Sequence, residues 1–214
     1  MEAILVNLVD RIENYWSKRS DDFFDLRIEE LKSDKRQLWQ DEIIANLPDK
    51  EHLKILDVGC GPGFFSVILS SLGHDVIGID LTESMIQKAD EIADILDYDI
   101  DFRVMNAQEL DFDDEEFDVV ISRNLTWTLP DIEKAYKEWY RVLKKDGVLL
   151  NFDADYGKVS LKEEMKSLGE EHSHNMMDSS LVKECDDIKQ ELEISKRRRP
   201  MWDEKFLQEI GFES

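Results

Sequence analysis

Asp57, Gly59, Gly61 and Gly63 stand at alternate positions in the stretch ILDVGCGPGFF (55–65). Glycine is costly to order, so three at this density imply a turn whose bare backbone is closely approached by something else. The turn follows an aliphatic run and opens an apolar one, the strand-to-helix setting of nucleotide-type motifs. The dinucleotide fingerprint G-x-G-x-x-G asks for a third glycine that lets helix and strand pack closely. Phe64 occupies that position here and the last glycine comes one residue early, at Gly63. Asp57, just before the first glycine, would oppose a pyrophosphate and suits a cationic group such as an ammonium. Asp80 lies 21 positions after Gly59, close to the separation at which an acid holds ribose hydroxyls. An ammonium, a ribose and no phosphate together describe S-adenosylmethionine.

The elements that must hold these residues follow from hydrophobic periodicity. Apolar positions recur at helical spacing over 3–16 and again over roughly 23–46, the second segment ending before Pro48. From residue 54 the period changes. KILDVGC (54–60), HDVIGID (74–80), DIDFRVMN (99–106), FDVVISRN (117–124) and VLLNFDAD (148–155) read as short strands. Between them lie helical patterns at FFSVILSSLG (64–73), at 82–96 with Thr82 as N-cap, and at 131–145 before the Asp146-Gly147 turn. Apolar strands alternating with helices predict an α/β fold with a mainly parallel sheet covered on both faces. Four segments result: a helical N-terminal cap (1–48), a cofactor-binding core (49–157), a charged helical lid insertion over the substrate (158–199) and a final core helix (200–214). That helix runs into Gly211-Phe212, a transition that normally leads to another strand. The chain therefore reads either as truncated after Ser214 or as a fold that ends on a helix.

LDVGCGPGFFS followed by VIGIDLTESMI strongly resembles the class I S-adenosylmethionine-dependent methyltransferases, nearest to the branch of ubiquinone/menaquinone-biosynthesis-type small-molecule enzymes. NAQELDFDDEEFDVVISRNLTWTL (106–129) is similar to that family's third and fourth motifs, and the resemblance covers about Lys54 to Asp155. It implies a Rossmann-like, doubly wound form of the sheet with strand order 3-2-1-4-5, final strands being present or missing. It also implies that Asp57, Gly59, Cys60 and Gly61 line the methionine moiety. Asp80 would hold the ribose hydroxyls, and Leu81 and Met85 would flank the adenine. Many relatives carry an acid where Asn106 stands; its amide oxygen can accept from the adenine amino group in the same way. Ala107 would offer a backbone N–H to the ring, with Gln108 beside it, and Arg123 and Asn124 would close over the methionine portion. NYWSKRS (14–20) resembles a cofactor-covering stretch, with Tyr15 and Arg19 on one helix face. Arg19 would then meet the cofactor carboxylate, or else lie on the surface beside a core aromatic.

Catalytic groups are less legible. Asp153, Asp155, Tyr156 and His174 are candidates to take a proton or orient an acceptor, with solvated loop carboxylates as the plain alternative for the first two. Trp127 lines a pocket or simply packs. In EEHSHNMMD (170–178), His172 and His174 are two apart and share no helix face, so no metal site is expected. Lys196-Arg197-Arg198-Arg199 is the basic cluster of an acidic chain and suits a helix C-terminus or, less directly, an anionic substrate.

Composition bounds the rest. With 50 acidic and 27 basic residues the formal net charge is −23, which repels nucleic-acid backbones and anionic membrane faces. Cys60 and Cys185 are far apart and lack metal-ligand spacing, which suits free thiols in a reducing compartment. Glu2 and Asp10 frame an N-terminus without a basic leader, and no apolar run is long enough to span a bilayer. These features predict a cytoplasmic methyltransferase with a small-molecule acceptor, no nucleic-acid or membrane partner, and a monomeric or homodimeric state. The rival readings are an NAD(P)-binding Rossmann oxidoreductase and a non-catalytic S-adenosylmethionine-binding module.

Overall fold

A computed structural model describes residues 2–167 and 178–213. Its centre is a five-stranded parallel sheet of order β3-β2-β1-β4-β5, formed by β1 (Lys54–Val58), β2 (Asp75–Asp80), β3 (Asp101–Val104), β4 (Phe117–Arg123) and β5 (Leu143–Phe152). Ile55 of β1 pairs with Val76 on one side and Val119 on the other, so β1 is central. The chain winds outward from β1 to β3 and then returns to place β4 on the opposite side of β1. That reversal opens a crevice at the carboxyl ends of β1 and β4, where open parallel sheets bind ligands.

Side-chain alternation along β1 explains the two layers. Ile55 packs against one face with α4 (Phe64–Ser71), Ile43 of α3 (Asp34–Asn46) and Ile92 of α5 (Glu83–Leu96). Leu56 and Val58 pack against the other face with Leu8, Ile12 and Tyr15 of α1 (Glu2–Ser17) and with Tyr136 and Trp139 of α6 (Ile132–Val142). Burial of these aliphatic and aromatic side chains, each worth roughly 1.5–3 kcal/mol against exposure, stabilises the sheet between its helices.

Asp118 pins the sheet at its opposite end. Its carboxylate accepts from the Lys54 N–H (3.0 Å), Lys50 Nζ (3.0 Å) and Lys144 Nζ (2.9 Å), which joins the starts of β1, β4 and β5. The predicted helix over 131–145 stops at Val142, and β5 begins at Leu143, with a register irregularity opposite Phe117–Val119.

Two further boundaries differ from the sequence reading. The single helix predicted over 23–46 is two helices, α2 (Ser20–Lys32) and α3, split at Ser33. Ser33 is extended (φ −103°, ψ 171°), its hydroxyl donates to the Glu30 carbonyl (2.9 Å), and the same oxygen accepts from the Lys35 N–H (3.3 Å). A serine side chain that bonds local backbone competes with helix continuation. Thr82 does occupy the N-cap of α5, but its hydroxyl makes no capping bond to the helix.

After β5 come α7 (Leu161–Ser167), α8 (Ser179–Glu191) and α9 (Met201–Ile210), the last stopped by Gly211 at φ 117°. α8 packs on α1, and α9 packs on α6. Among the described residues no helix is long and apolar enough to cross a membrane, and Cys60 and Cys185 are both free and buried.

Candidate cofactor and acceptor site

A cavity of about 590 Å³ occupies the crevice, roofed by α1, α2 and α8. The carboxyl ends of β1 and β2 and the turns beyond them contribute Asp57, Gly59, Cys60, Gly61, Asp80, Leu81 and Met85. The segment after β3 contributes Asn106, Ala107 and Gln108, the end of β4 contributes Arg123 and Asn124, and α1 with its following turn contributes Tyr15 and Arg19. Every residue expected at the cofactor therefore lines this one cavity, as do Trp127 and Tyr156.

The three glycines of the turn have three different tasks. All have left-handed backbone, with φ of 66°, 51° and 81° at Gly59, Gly61 and Gly63. A Cβ on Gly59 would lie 2.7 Å from the Leu125 side chain, and one on Gly63 would lie 3.0 Å from the Phe102 ring. A Cβ on Gly61 would meet no atom within 4 Å. At Gly59 and Gly63 a side chain would thus crowd neighbours within the fold as well as strain the backbone. Gly61 keeps its face open to the cavity.

Asp80 ends β2 with its carboxylate held by two backbone donors, the Gly61 N–H to Oδ2 (3.1 Å) and the Thr82 N–H to Oδ1 (2.9 Å). Each oxygen retains accepting capacity for a ligand hydroxyl. Burial raises the Asp80 pKa despite these bonds. Asp57 is also buried, accepts from Ser66 Oγ (2.6 Å), and is pushed up to about 7, chiefly by desolvation, with Asp80 adding like-charge repulsion. Two buried acids of this kind favour a ligand that brings positive charge. Cys60 donates its N–H to the Ile79 carbonyl (2.9 Å), and burial pushes its thiol well up, so it contributes backbone shape rather than a nucleophile.

The loop after β3 departs from its expected contacts. Asn106 Oδ1 accepts from both the Gln108 N–H (2.9 Å) and Gln108 Nε2 (3.1 Å), so that oxygen is engaged within the loop. The backbone donor fixes the amide orientation and leaves Nδ2 as the group Asn106 can offer a ligand. Gln108 Oε1 accepts from the Asp131 N–H (2.6 Å), and Trp139 Nε1 donates to the Ala107 carbonyl (3.0 Å), which ties the loop to α6.

The roof carries charges that the sequence reading did not name, Arg27 and Glu30. Arg123 donates to Glu30 of α2 through both terminal nitrogens (3.2 and 3.3 Å) and lies over the rings of Trp39, Phe64 and Phe65. Arg27, one turn before Glu30, donates to the same carboxylate and sits over Phe23 and Phe64. Arg19 is buried, donating to Tyr15 Oη (3.1 Å) and Asp22 (3.2 Å), so it is not the surface residue of the plain alternative. Burial pushes the Tyr15 phenol above its ordinary range.

Comparison with known proteins adds the family. Residues 56–151 match the model of the methyltransferase domain family. Over 144 residues the chain is 35% identical to the ubiquinone/menaquinone biosynthesis C-methyltransferase UbiE of Rickettsia prowazekii, covering 64% of this chain and 57% of that one. Over 99 residues it is 33% identical to the ubiquinone biosynthesis O-methyltransferase of Pelagibacter ubique, covering 46% and 41%. Residues 56–151 are thus similar to a class I methyltransferase domain. The two named relatives belong to ubiquinone and menaquinone biosynthesis. The solved structure of mmp1179 from Methanococcus maripaludis, 18% identical, shares the fold with a TM-score of 0.65 over 92% of this chain and 85% of that one. The chain spans about half the length of the curated relatives it matches.

The remaining candidates lie apart from one another. Tyr156 lines the cavity, donates to Asn124 Oδ1 (3.2 Å) and packs on Trp127. Asp153 does not line the cavity. It accepts from Thr126 Oγ1, the Trp127 N–H (3.2 Å) and the Ala154 N–H (2.7 Å), and pairs with Arg199 (3.5 Å). Arg199 in turn donates to Asp203 (2.9 Å), which accepts from Tyr136 Oη (2.7 Å). Asp153 is thus the hub of a buried network on the wall of a second cavity of about 610 Å³. Asp155 lines that second cavity too and pairs with Lys158. The basic run is spread over separate partners: Lys196 pairs with Glu193, Arg197 lies over Trp202 and Arg199 joins the network. His174, with His172, Glu170 and Glu171, lies outside the described residues. Among the described residues no group of three or more His, Cys, Asp or Glu side chains is placed to hold a metal.

Proposed function

We propose that this chain is an S-adenosylmethionine-dependent methyltransferase that methylates a small molecule bound under the α1–α2–α8 roof. The observation that carries the proposal is the pairing of Asp80 with Gly61: a carboxylate fixed by two N–H donors stands beside a glycine whose missing Cβ leaves open space. A ribose diol fits a carboxylate that keeps a free lone pair on each oxygen. The Gly61 backbone lets that ribose approach. Asp57 would receive the ammonium, Leu81 and Met85 would flank the adenine, and Asn106 would offer its Nδ2 hydrogens to the ring. Arg19 would meet the carboxylate. Bound in this way, the cofactor supplies a methyl group on a positively charged sulfur, already activated toward displacement.

The work left to the chain is alignment and exclusion of water. Trp16, Leu26, Leu125, Trp127 and Leu129 give the cavity an apolar wall that favours a desolvated approach. The Tyr156–Asn124 hydrogen bond fixes the wall beside Arg123. We assign residues 1–48 and 158–199 as cap and lid over the 49–157 core, with 200–214 completing it. The net charge of −23 supports a small molecule rather than nucleic acid, and the two free thiols support a cytoplasmic setting. We assign the working form as a monomer or homodimer.

The dinucleotide reading is disfavoured because Phe64, in place of the third glycine, is a fully packed core residue of α4. Separate calorimetric titrations with S-adenosylhomocysteine and NADH separate the two. Binding of S-adenosylhomocysteine alone supports the proposal, and binding of NADH alone overturns it.

A further inference from the structure

The cavity is cationic in a chain that is strongly acidic. Arg19, Arg27, Lys35, Arg123 and Lys189 line it against three acids, Glu30, Asp57 and Asp80, although acids outnumber bases by 50 to 27 in the whole sequence. The surplus is concentrated at one place. Glu30 has three cationic neighbours, Arg27, Arg123 (3.2 Å) and Lys35 (3.8 Å), and is the carboxylate they share. Among the described residues Arg27 makes a single hydrogen bond, through Nη1 to Glu30, while its side chain is only 11% exposed. Its desolvation and the nearby Arg123 charge both work against its positive form. A buried guanidinium with N–H groups left over, facing a cavity, is stabilised by an arriving anion.

The cofactor does not balance this excess. Its sulfonium and ammonium add two positive charges against one carboxylate, and Arg19 is the group assigned to that carboxylate. We propose that the methyl acceptor is a small carboxylic acid with an apolar or aromatic body, whose carboxylate is received by the Arg27–Arg123–Lys35 cluster alongside Glu30. This rests on the methyl-transfer reading above. A carboxylate is chosen because the cluster already holds one in the two-pronged geometry that guanidinium groups favour for planar carboxylates. The apolar body follows from the flanking rings, with Phe23 and Phe64 beside Arg27 and Trp16 stacked edge-on to Phe23 (5.3 Å).

The test is calorimetry on the full chain with a size-graded series of aryl and alkyl carboxylates, their carboxamides and the matching phosphate esters. The wild type binds at least one acid about tenfold or more tightly than its amide, which is the discrimination one lost charged contact gives. Arg27→Gln and the half-exposed Lys35→Gln both reduce that ratio, and both bind S-adenosylhomocysteine as the wild type does. Lys35→Gln is the control for folding, since its side chain is 62% exposed. No acid preferred over its amide, including no acid bound at all, overturns the proposal. So does a tenfold loss of S-adenosylhomocysteine affinity in both variants with the acid preference intact, which assigns the cluster to the cofactor. Phosphate esters bound in preference to the acids overturn the choice of carboxylate. Failure of the wild type to bind S-adenosylhomocysteine while the acid preference holds separates failure of the methyl-transfer reading from failure of this one.

Discussion

Glu30 of α2 and Arg123 at the end of β4 meet across the mouth of the cavity through two N–H···O contacts of 3.2 and 3.3 Å. The contact joins the N-terminal cap to the sheet at the point where the chain reverses direction around β1. Glu30 is 8% exposed and Arg123 15% exposed at the side chain, so both charges are largely desolvated. Replacing Glu30 by glutamine leaves Arg27 and Arg123 facing one another without their shared anion. Breaking a buried pair from one side costs several kcal/mol; because these groups border a cavity that admits water, a loss of about 2 kcal/mol is expected. Urea unfolding of Glu30→Gln would register it as a lowered midpoint with an unchanged slope.

Gly61 and Gly63 differ in what a methyl group would meet, and alanine at each gives opposite outcomes. Gly63→Ala brings Cβ to 3.0 Å from the Phe102 ring at φ 81° and should destabilise the fold by about 1–3 kcal/mol. Gly61→Ala meets no protein atom, so its stability cost is limited to about 1 kcal/mol of left-handed backbone. Its Cβ instead enters the cavity and should abolish S-adenosylhomocysteine binding. Thermal unfolding and calorimetry on the two variants read the difference directly.

Asp57 makes the site sensitive to pH. Its folded pKa of about 7 lies above the ordinary carboxylate value, so the folded state binds this proton more tightly than the unfolded chain. Its contribution to stability is therefore present at low pH and is lost as pH rises from about 4 to 7, an effect that Asp57→Asn removes. A bound ammonium reverses the preference by favouring the ionised form. S-adenosylhomocysteine affinity should accordingly rise with pH through 7 with release of a proton, seen as a buffer-dependent heat in calorimetry.

Asp118 has the opposite sign. Three donors, the Lys54 N–H, Lys50 and Lys144, hold its pKa well below the ordinary carboxylate range, despite burial. The stability it contributes is present above about pH 4 and is lost as pH falls toward its depressed folded value. Both lysine side chains are more than a third exposed, 54% and 43%, so screening limits Asp118→Asn to about 1 kcal/mol. Unfolding titrations of wild type and variant should converge in acid and diverge near neutrality.

The parts of the molecule that local sequence determines were legible in the chain. The parallel sheet covered on both faces follows from short strands buried along their length, such as Ile55–Val58 and Val119–Ile121. Asp57, Gly61 and Asp80 were legible because a strand end and a following turn fix their positions within a few residues. Arg27 and Glu30 were not, because SDDFFDLRIEELK reads as a solvated helix, and only its docking over Arg123 buries them. The Asp153 network was not legible for the same reason: its partner Arg199 is 46 positions further on, and nothing near Asp153 announces that contact. The split at Ser33 turns on a hydroxyl bonding to local backbone, a choice that apolar spacing across 23–46 does not encode.

The most direct measurement is calorimetric titration of S-adenosylhomocysteine into the wild type and into Asp80→Ala. Asp80 ends β2 with its oxygens held by the Gly61 and Thr82 N–H groups, and its side chain supports no hydrophobic packing. The expected result is saturable binding by the wild type and a loss of at least about a hundredfold in the variant, as for two hydrogen bonds to a buried charge, with far-UV circular dichroism unchanged. Equal affinity in the two folded proteins, or no binding by the wild type, would contradict the assignment of this cavity to the cofactor.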